Sequence, residues 1–129
     1  MRQKITKNNL ATRRKAEQRG RRSEMWAALL LLAKFYRILG WRVRTPVGEI
    51  DLIAQAPGGP VCFIEVKARA DALDAAQSLG SRQQRRIANA ASHYLAAHPH
   101  LLTKGARFDV IALAPRRLPR HYPDAWRGE

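Results

Sequence analysis

The chain has 129 residues, with 24 Lys and Arg against 10 Asp and Glu, so its formal net charge at pH 7 is +14. Hydrophobic residues make up 46% of it, which is enough for the core of one domain and excludes a wholly disordered chain. Its single cysteine, Cys62, excludes an internal disulfide and indicates a reducing, cytoplasmic environment. The longest apolar stretch, residues 25–33, is far shorter than the roughly 20 residues of a membrane-spanning helix, so we expect no membrane partner.

The positive charge is concentrated at the amino-terminal end. Residues 1–22 contain nine Lys or Arg and one acidic residue, Glu17, and so carry +8 of the total. Such a segment suits an arm that contacts a nucleic-acid backbone, because basic side chains that meet phosphates release condensed counterions. A solubilising tail, ribosomal RNA and an anionic membrane are the alternative interpretations. The predicted nucleic-acid contacts are Arg13, Arg14, Arg21, Arg22, Arg44, Arg82, Gln83 and Arg86.

The first predicted helix follows this segment. Ser23 is a suitable N-cap, apolar residues then cover most of the helix circumference up to Ile38, and Gly40 stands where a C′ glycine belongs. We therefore expect a largely buried helix with Trp26 in the core. Residues 41–44 alternate as a half-buried strand.

Two further strands are predicted beyond a turn at residues 45–48. Residues 49–54 alternate with a period of two, which places Ile50 on an apolar face together with the other even-numbered residues. The Pro-Gly-Gly-Pro sequence at residues 57–60 reverses the chain. Residues 61–68 follow, and they carry the strongest strand signal in the sequence.

A second helix and a last strand complete the predicted core. Ser81 and Gln84 form a candidate capping box for the helix, and residues 107–113 form the strand. The order is αβββαβ, which predicts an α/β fold with a mixed sheet flanked by helices, the second helix being a crossover between strands. The predicted parts of the chain are a flexible basic arm (1–22), the domain (23–114) and a poorly ordered Pro- and Arg-rich tail (115–129).

Three charged side chains lie on the two strands that this reversal makes neighbours. Asp51 is on the first strand, and Glu65 and Lys67 share one face of the second, about 7 Å apart at ~3.4 Å per residue. Paired carboxylates on rigid strands suit a hard cation such as Mg²⁺, with water and phosphate oxygens completing its octahedron. Lys67 can then orient an attacking water or stabilise developing negative charge. That is the chemistry of phosphodiester hydrolysis.

The same residues also have a structural interpretation. Glu65 and Lys67 can form a same-face ion pair, Asp51 can satisfy a turn or a neighbouring Arg, and a lone Glu-x-Lys has little specificity. Charges in the middle of so apolar a strand are nevertheless costly unless they are paired, metal-bound or solvated in a cleft, so a functional role competes with the structural one. We interpret Asp109, on the last strand, as a structural residue paired with an Arg of the second helix.

Three segments together resemble a known family. They are GEIDLIA at residues 48–54, IEVKAR at 64–69 and RFDVI at 107–111, and they resemble the YraN family of predicted endonucleases. That family is similar to the restriction-endonuclease-like superfamily, named for its PD-(D/E)xK signature, and to the archaeal Holliday-junction resolvases. The resemblance covers about residues 20–110 and implies a restriction-endonuclease-like core of a helix, three antiparallel strands, a helix and a strand.

The resemblance also implies roles for individual residues. It makes Asp51 and Glu65 ligands of Mg²⁺ or Mn²⁺, and Lys67 the catalytic lysine. It adds Glu24 as a further acidic catalytic group, because Glu24 matches the family's Gly-x-x-x-Glu spacing from Gly20. From its position alone, Glu24 is a first-turn glutamate favoured by the helix dipole.

The sequence departs from the family pattern in two places. Family members usually carry Lys at the position aligned with Gln83, and glutamine cannot supply that charge, although Arg82 or Arg86 can compensate. The loop before Gly48 is short and lacks a usual asparagine, which bears on substrate fit. Neither departure removes the predicted carboxylate and lysine core.

We therefore expect a Mg²⁺- or Mn²⁺-dependent enzyme that hydrolyses DNA, with branched or structured DNA favoured by analogy with the resolvases. Symmetric cutting of a junction requires a homodimer. The alternative is a nucleic-acid-binding protein that keeps the nuclease fold without turnover, and a third, weaker interpretation is binding to RNA or the ribosome. The first two predict salt-sensitive DNA binding, but only the first requires a metal for catalysis.

Overall fold

The computed structural model describes residues 23–68 and 80–127, which form an open, five-stranded mixed sheet with a helix packed on each face. The predicted mixed α/β fold is confirmed, and the predicted basic arm lies outside the described residues. No helix in this part of the chain is long and apolar enough to cross a membrane. The elements are α1 (23–33), β1 (Arg37–Thr45), β2 (Gly48–Gln55), β3 (Val61–Ala68), α2 (Ser81–Ala97), a 3-10 helix (Pro99–Lys104), β4 (Ala106–Leu113) and β5 (Arg120–Trp126).

The sheet combines local hairpins with one crossover. Strands β1, β2 and β3 are antiparallel neighbours, and the predicted turn between the first two is closed by Thr45, whose Oγ1 donates to the carbonyl of Gly48 at 2.7 Å. Strand β4 pairs with β3 in parallel, from Val61 opposite Ala106 to Ala68 opposite Leu113. A parallel neighbour requires a crossover connection, and α2 supplies it as predicted.

Each face of the sheet buries its own hydrophobic cluster. The period of two predicted for β2 and β3 separates the two faces, but Ile50 packs in the α2 cluster and not with Leu52 as expected. The alternation breaks beside Asp51, whose carboxylate turns towards the backbone of β3. The α1 cluster includes Ala27, Leu31, Leu52, Cys62, Ile64 and Ile111, and the α2 cluster includes Ile53, Phe63, Ile87, Ala91, Tyr94 and Val110.

Helix α1 is shorter than the apolar pattern predicts. The N–H of Tyr36 bonds back to the carbonyl of Leu31 at 2.9 Å, and Phe35 takes the left-handed conformation, with φ 65°, that we had assigned to Gly40. The chain is therefore already in β1 where the helix was expected to continue. Ser23 is itself helical, so its predicted role as the N-cap is wrong.

Helix α1 is also less buried than predicted. It packs on the sheet through a narrow face of small residues and Leu31, so the opposite face is open to solvent. Trp26, expected in the core, is 60% exposed. The apolar periodicity of this helix reflects two faces, of which only one contacts the sheet.

Helix α2 begins without the predicted capping box. Gly80 is the N-cap residue and makes no side-chain cap hydrogen bond, whereas Ser81 is already the first helical residue. The first turn is closed by the N–H of Gln84, which donates to the carbonyl of Gly80 at 3.0 Å.

Strand β5 corrects the expectation of a poorly ordered tail, because residues 120–126 pair antiparallel with β4. Asp109 on β4 is fully buried, and β5 supplies two of its donors: His121 Nε2 lies 2.7 Å from Oδ2, and the N–H of Asp124 lies 2.9 Å from Oδ1. Arg107 binds both oxygens, at 2.9 and 2.8 Å. The partner predicted on the second helix was therefore wrong.

These contacts lower the pKa of Asp109. Burial alone would raise the pKa, but the hydrogen bonds from Arg107, His121 and the N–H of Asp124 outweigh burial and lower it from 3.8 to about 2. The ionised carboxylate is thus the stable form at the centre of the β4–β5 pair.

We expect Asp109→Ala to lower the free energy of unfolding by about 3–5 kcal/mol, because it leaves buried donors without their acceptor. Urea denaturation at neutral pH measures this loss. The matched change Asp124→Asn removes an exposed negative charge 3.6 Å from Arg127, keeps a residue type that tolerates the left-handed backbone, and should cost less than about 1 kcal/mol. In wild type the Asp109 contribution is present above pH 3.8 and is lost as the pH falls through about 2. Equal losses in the two variants would contradict this assignment.

Candidate active site

Asp51 lies where the paired stretch of β2 and β3 ends. The last Cα partners at this end are Leu52 and Ile64. One residue further, Oδ2 of Asp51 accepts a hydrogen bond from the backbone N–H of Val66 at 2.8 Å. A side-chain oxygen has thus replaced a backbone acceptor, which fixes the Asp51 carboxylate between the two strands.

Glu65 and Lys67 face this carboxylate from β3. The predicted ion pair between them is present, with Lys67 Nζ 3.6 Å from Glu65 Oε1. The side chain of Lys67 is only 19% exposed and that of Glu65 only 13%, so both are largely withdrawn from water. Gln83, on the first turn of α2, donates through Nε2 to the same oxygen at 2.9 Å. The structure therefore brings together the three predicted residues and adds a fourth.

Both carboxylates are costly to ionise in this position. Burial, reinforced by the negative charge of Asp51, raises the pKa of Glu65 from 4.5 to about 8. Burial also raises the pKa of Asp51, against the opposing effect of the Val66 N–H, and the charge of Glu24 adds to the rise. The pair therefore favours either a shared proton or a cation.

A divalent cation fits this pair. Within residues 23–68 and 80–127 no group of three or more His, Cys, Asp or Glu is placed to hold a metal ion. Mg²⁺ does not require such a cage, because it commonly takes one or two carboxylates together with water and substrate phosphate oxygens. Asp51 and Glu65 match this donor set, and a cation would offset the burial of both carboxylates and the repulsion that Asp51 exerts on Glu65.

Glu24 lies near the pair but is engaged elsewhere. It is 8% exposed, and its Oε2 accepts hydrogen bonds from Trp41 Nε1, at 2.8 Å, and from Arg42 Nε. These contacts tie α1 to β1 at Arg42, which has a left-handed φ of 49°. Glu24 therefore acts on Asp51 through its charge, and its direct contacts are those of a residue that joins α1 to the sheet.

The two carboxylates line a cleft of about 440 Å³ between the sheet and the start of α2. Arg82, Gln83 and Arg86 line this cleft together with Asp51 and Glu65, and both arginines are exposed. Three residues predicted to contact nucleic acid are thus placed beside the predicted catalytic residues. Positive charge at the mouth and negative charge at the floor would suit a phosphate chain held over a cation.

The other predicted contacts are placed differently. Arg44 is almost fully exposed, and its Nε lies 3.5 Å from Oε2 of Glu49, whose side chain lines the cleft. Glu49 is thus in the structural salt bridge that its position beside the turn indicates. The four arginines predicted in the amino-terminal arm lie outside the described residues; they are Arg13, Arg14, Arg21 and Arg22.

The sequence predicts Gln83 as a nucleic-acid contact, whereas in the structure its amide is bonded to Glu65. A signal was available, because Gln83 lies one helical turn before Ile87, the first buried apolar residue of α2. A polar side chain on the buried face at the start of a helix must meet the sheet or its edge.

A known protein family matches most of this chain. Residues 23–113 match the family model described as uncharacterised protein family UPF0102. The chain belongs to this family. The match runs from α1 to the end of β4 and so includes Asp51, Glu65 and Lys67. The description assigns no activity, and the endonuclease function implied by the resemblance to the YraN family stays a prediction.

Relatives in the family align over most of their length. A UPF0102 protein of Parvibaculum lavamentivorans is 47% identical over 121 residues, which is 94% of this chain and 90% of the relative. A UPF0102 protein of Agrobacterium fabrum is 49% identical over 114 residues, 88% of this chain and 93% of the relative. One from a Bradyrhizobium species is 56% identical over 102 residues, 79% and 72% of the two chains.

We expect the metal-free protein to lose stability as the pH rises from about 4.5 through about 8. Over this range the folded state keeps the Glu65 proton that the unfolded chain releases, so the free energy of unfolding falls with pH. Glu65→Gln replaces the titrating carboxyl with a neutral amide and should flatten this slope, which makes the variant more stable than wild type at pH 9. Urea midpoints at several pH values in EDTA measure the effect.

The control for this experiment is Glu49→Gln, which removes an exposed carboxylate from the neighbouring strand β2. Its slope should match that of wild type. Parallel pH profiles for wild type and Glu65→Gln would show that Glu65 does not carry the buried proton.

Proposed function

We propose that this protein is a Mg²⁺- or Mn²⁺-dependent endonuclease that hydrolyses phosphodiester bonds in DNA. The observation that carries the proposal is the pair formed by Asp51 and Glu65, two largely buried carboxylates that lie together and both have raised pKa values, with Lys67 beside them. Perturbed carboxylates in a cleft are typical of functional sites. The exposed arginines at the mouth of this cleft supply the charge that a DNA backbone requires.

The acidic and basic side chains of the site have different roles. Asp51 and Glu65 would hold the cation, which when bound lowers the pKa of a water molecule and offsets the charge of the phosphodiester. The ammonium of Lys67 orients the attacking water by hydrogen bonding and stabilises the negative charge that develops on the phosphoryl oxygens. The water releases a proton to solvent as its oxygen bonds to phosphorus, the ester bond on the far side breaks, and the leaving oxygen takes up a proton from solvent.

The rest of the cleft serves substrate binding. Arg82 and Arg86, one turn apart on α2, present two guanidinium groups on the side of the cleft opposite β2. Such contacts bind phosphates without reading sequence. The preference for branched DNA, and with it a homodimer for paired cuts, rests on the resemblance to resolvases.

We expect wild type to cut labelled DNA in Mg²⁺ or Mn²⁺ and not in EDTA, when linear, flapped and four-way-junction substrates are compared on denaturing gels. Lys67→Ala and Asp51→Asn should each abolish cutting. Asp51→Asn keeps an oxygen for the Val66 N–H, so the fold should persist, and removal of a negative charge should tighten metal-free DNA binding.

Binding without cutting under every metal would favour the alternative, a nucleic-acid-binding protein that retains the fold. Wild-type turnover in both variants would remove these residues from the mechanism. Competition with structured RNA of equal length tests the third interpretation, since a preference for RNA would contradict the proposed substrate.

We expect Arg82→Ala and Arg86→Ala each to weaken DNA binding and to reduce the slope of log affinity against log salt by about 1, because each removes one phosphate contact. Arg85→Ala is the matched control, since Arg85 is an exposed arginine of the same helix that does not line the cleft. Fluorescence anisotropy across a salt series measures both quantities. Equal effects at all three positions would mean that binding depends on net charge and not on the cleft.

A further inference from the structure

We propose that Gln83 is a positioning residue that orients Glu65 for cation binding. The inference rests on the proposed function, because it assigns Gln83 a part in the same metal site. Gln83 lies on α2, whereas the two carboxylates lie on β2 and β3, so this contact joins the helix to the site.

The contacts of the Glu65 carboxylate support this positioning role. Gln83 Nε2 donates to Oε1 at 2.9 Å, and Lys67 Nζ lies 3.6 Å from the same atom. Both contacts end on one oxygen, and neither involves Oε2. The terminal torsion of a glutamate is otherwise broad and poorly defined. The hydrogen bond from Gln83, with the Lys67 ammonium near the same oxygen, therefore restricts the plane of the carboxylate and directs Oε2 away from both groups.

The lack of charge on Gln83 also suits a positioning role. Its two neighbours along the cleft wall, Arg82 and Arg86, are cations, and Lys67 already pairs with Glu65. An amide supplies the hydrogen bond and leaves the charge of Glu65 for the metal.

The helix is anchored firmly enough to hold this contact. Ile87, one turn after Gln83, is 4% exposed and packs in the α2 cluster with Ile53 and Phe63. The backbone that carries Gln83 is thus set by the core of the protein. A hydrogen-bonding partner on such an element can fix a ligand more precisely than one on a loop.

The test is the affinity for Mn²⁺, measured by titration calorimetry on the full chain without DNA. We expect Gln83→Ala to lower the affinity about 10- to 100-fold, the usual effect of removing a hydrogen bond to a metal ligand. Asn89→Ala, an exposed amide on the same helix, should leave the affinity unchanged. Circular dichroism and the thermal midpoint check the fold, and Gln83→Met, which keeps the side-chain length without the donor, replaces Gln83→Ala if that variant does not fold.

A double-mutant cycle separates positioning from a structural role. In a Glu65→Gln background, Gln83→Ala should cause no further loss of Mn²⁺ affinity, because Gln83 acts through Glu65. Wild-type affinity in Gln83→Ala, or an equal loss in both backgrounds, would overturn the positioning role while leaving the proposed function intact. If wild type itself binds no Mn²⁺, the proposed function fails and this inference fails with it.

Discussion

Two carboxylates, Asp51 and Glu65, are held side by side in a cleft that is partly closed to water, and the neighbouring groups are arranged around their repulsion. The backbone N–H of Val66 leaves the strand ladder to reach Asp51, and Lys67 and Gln83 both turn to Glu65. These contacts stabilise the two ionised carboxylates only in part, since the pKa of Glu65 still lies at about 8. The arrangement leaves room for one more positive charge.

Asp109 shows how the same fold treats a carboxylate that has a structural role. It is more deeply buried than the pair, yet Arg107, His121 and the N–H of Asp124 lower its pKa to about 2. Full compensation there and incomplete compensation at Glu65 occur on neighbouring strands of one sheet. The contrast supports a functional interpretation of the pair, because burial alone does not require a carboxylate to be left short of donors.

The central part of the fold was predictable from local patterns. Alternation and the Pro-Gly-Gly-Pro reversal place β2 and β3 side by side, and this alone brings Asp51 close to Glu65. The end of α1 was not predictable, because the apolar pattern continues through Phe35, a residue type that rarely adopts a left-handed conformation. Strand β5 was missed because its position depends on His121 reaching Asp109, a contact between residues with no local relation in the sequence.

The two edges of the sheet have a consequence for how this protein meets other chains. In the described part of the molecule, β1 has a register shift between Ile38 and Gly40, and β5 contains Pro123, which has no N–H, followed by Asp124 in a left-handed conformation. A regular strand of another molecule finds no continuous row of backbone donors and acceptors at either edge. Edge-to-edge growth of the sheet is thereby discouraged, and the helical faces and the cleft are left as the surfaces for contact with other molecules.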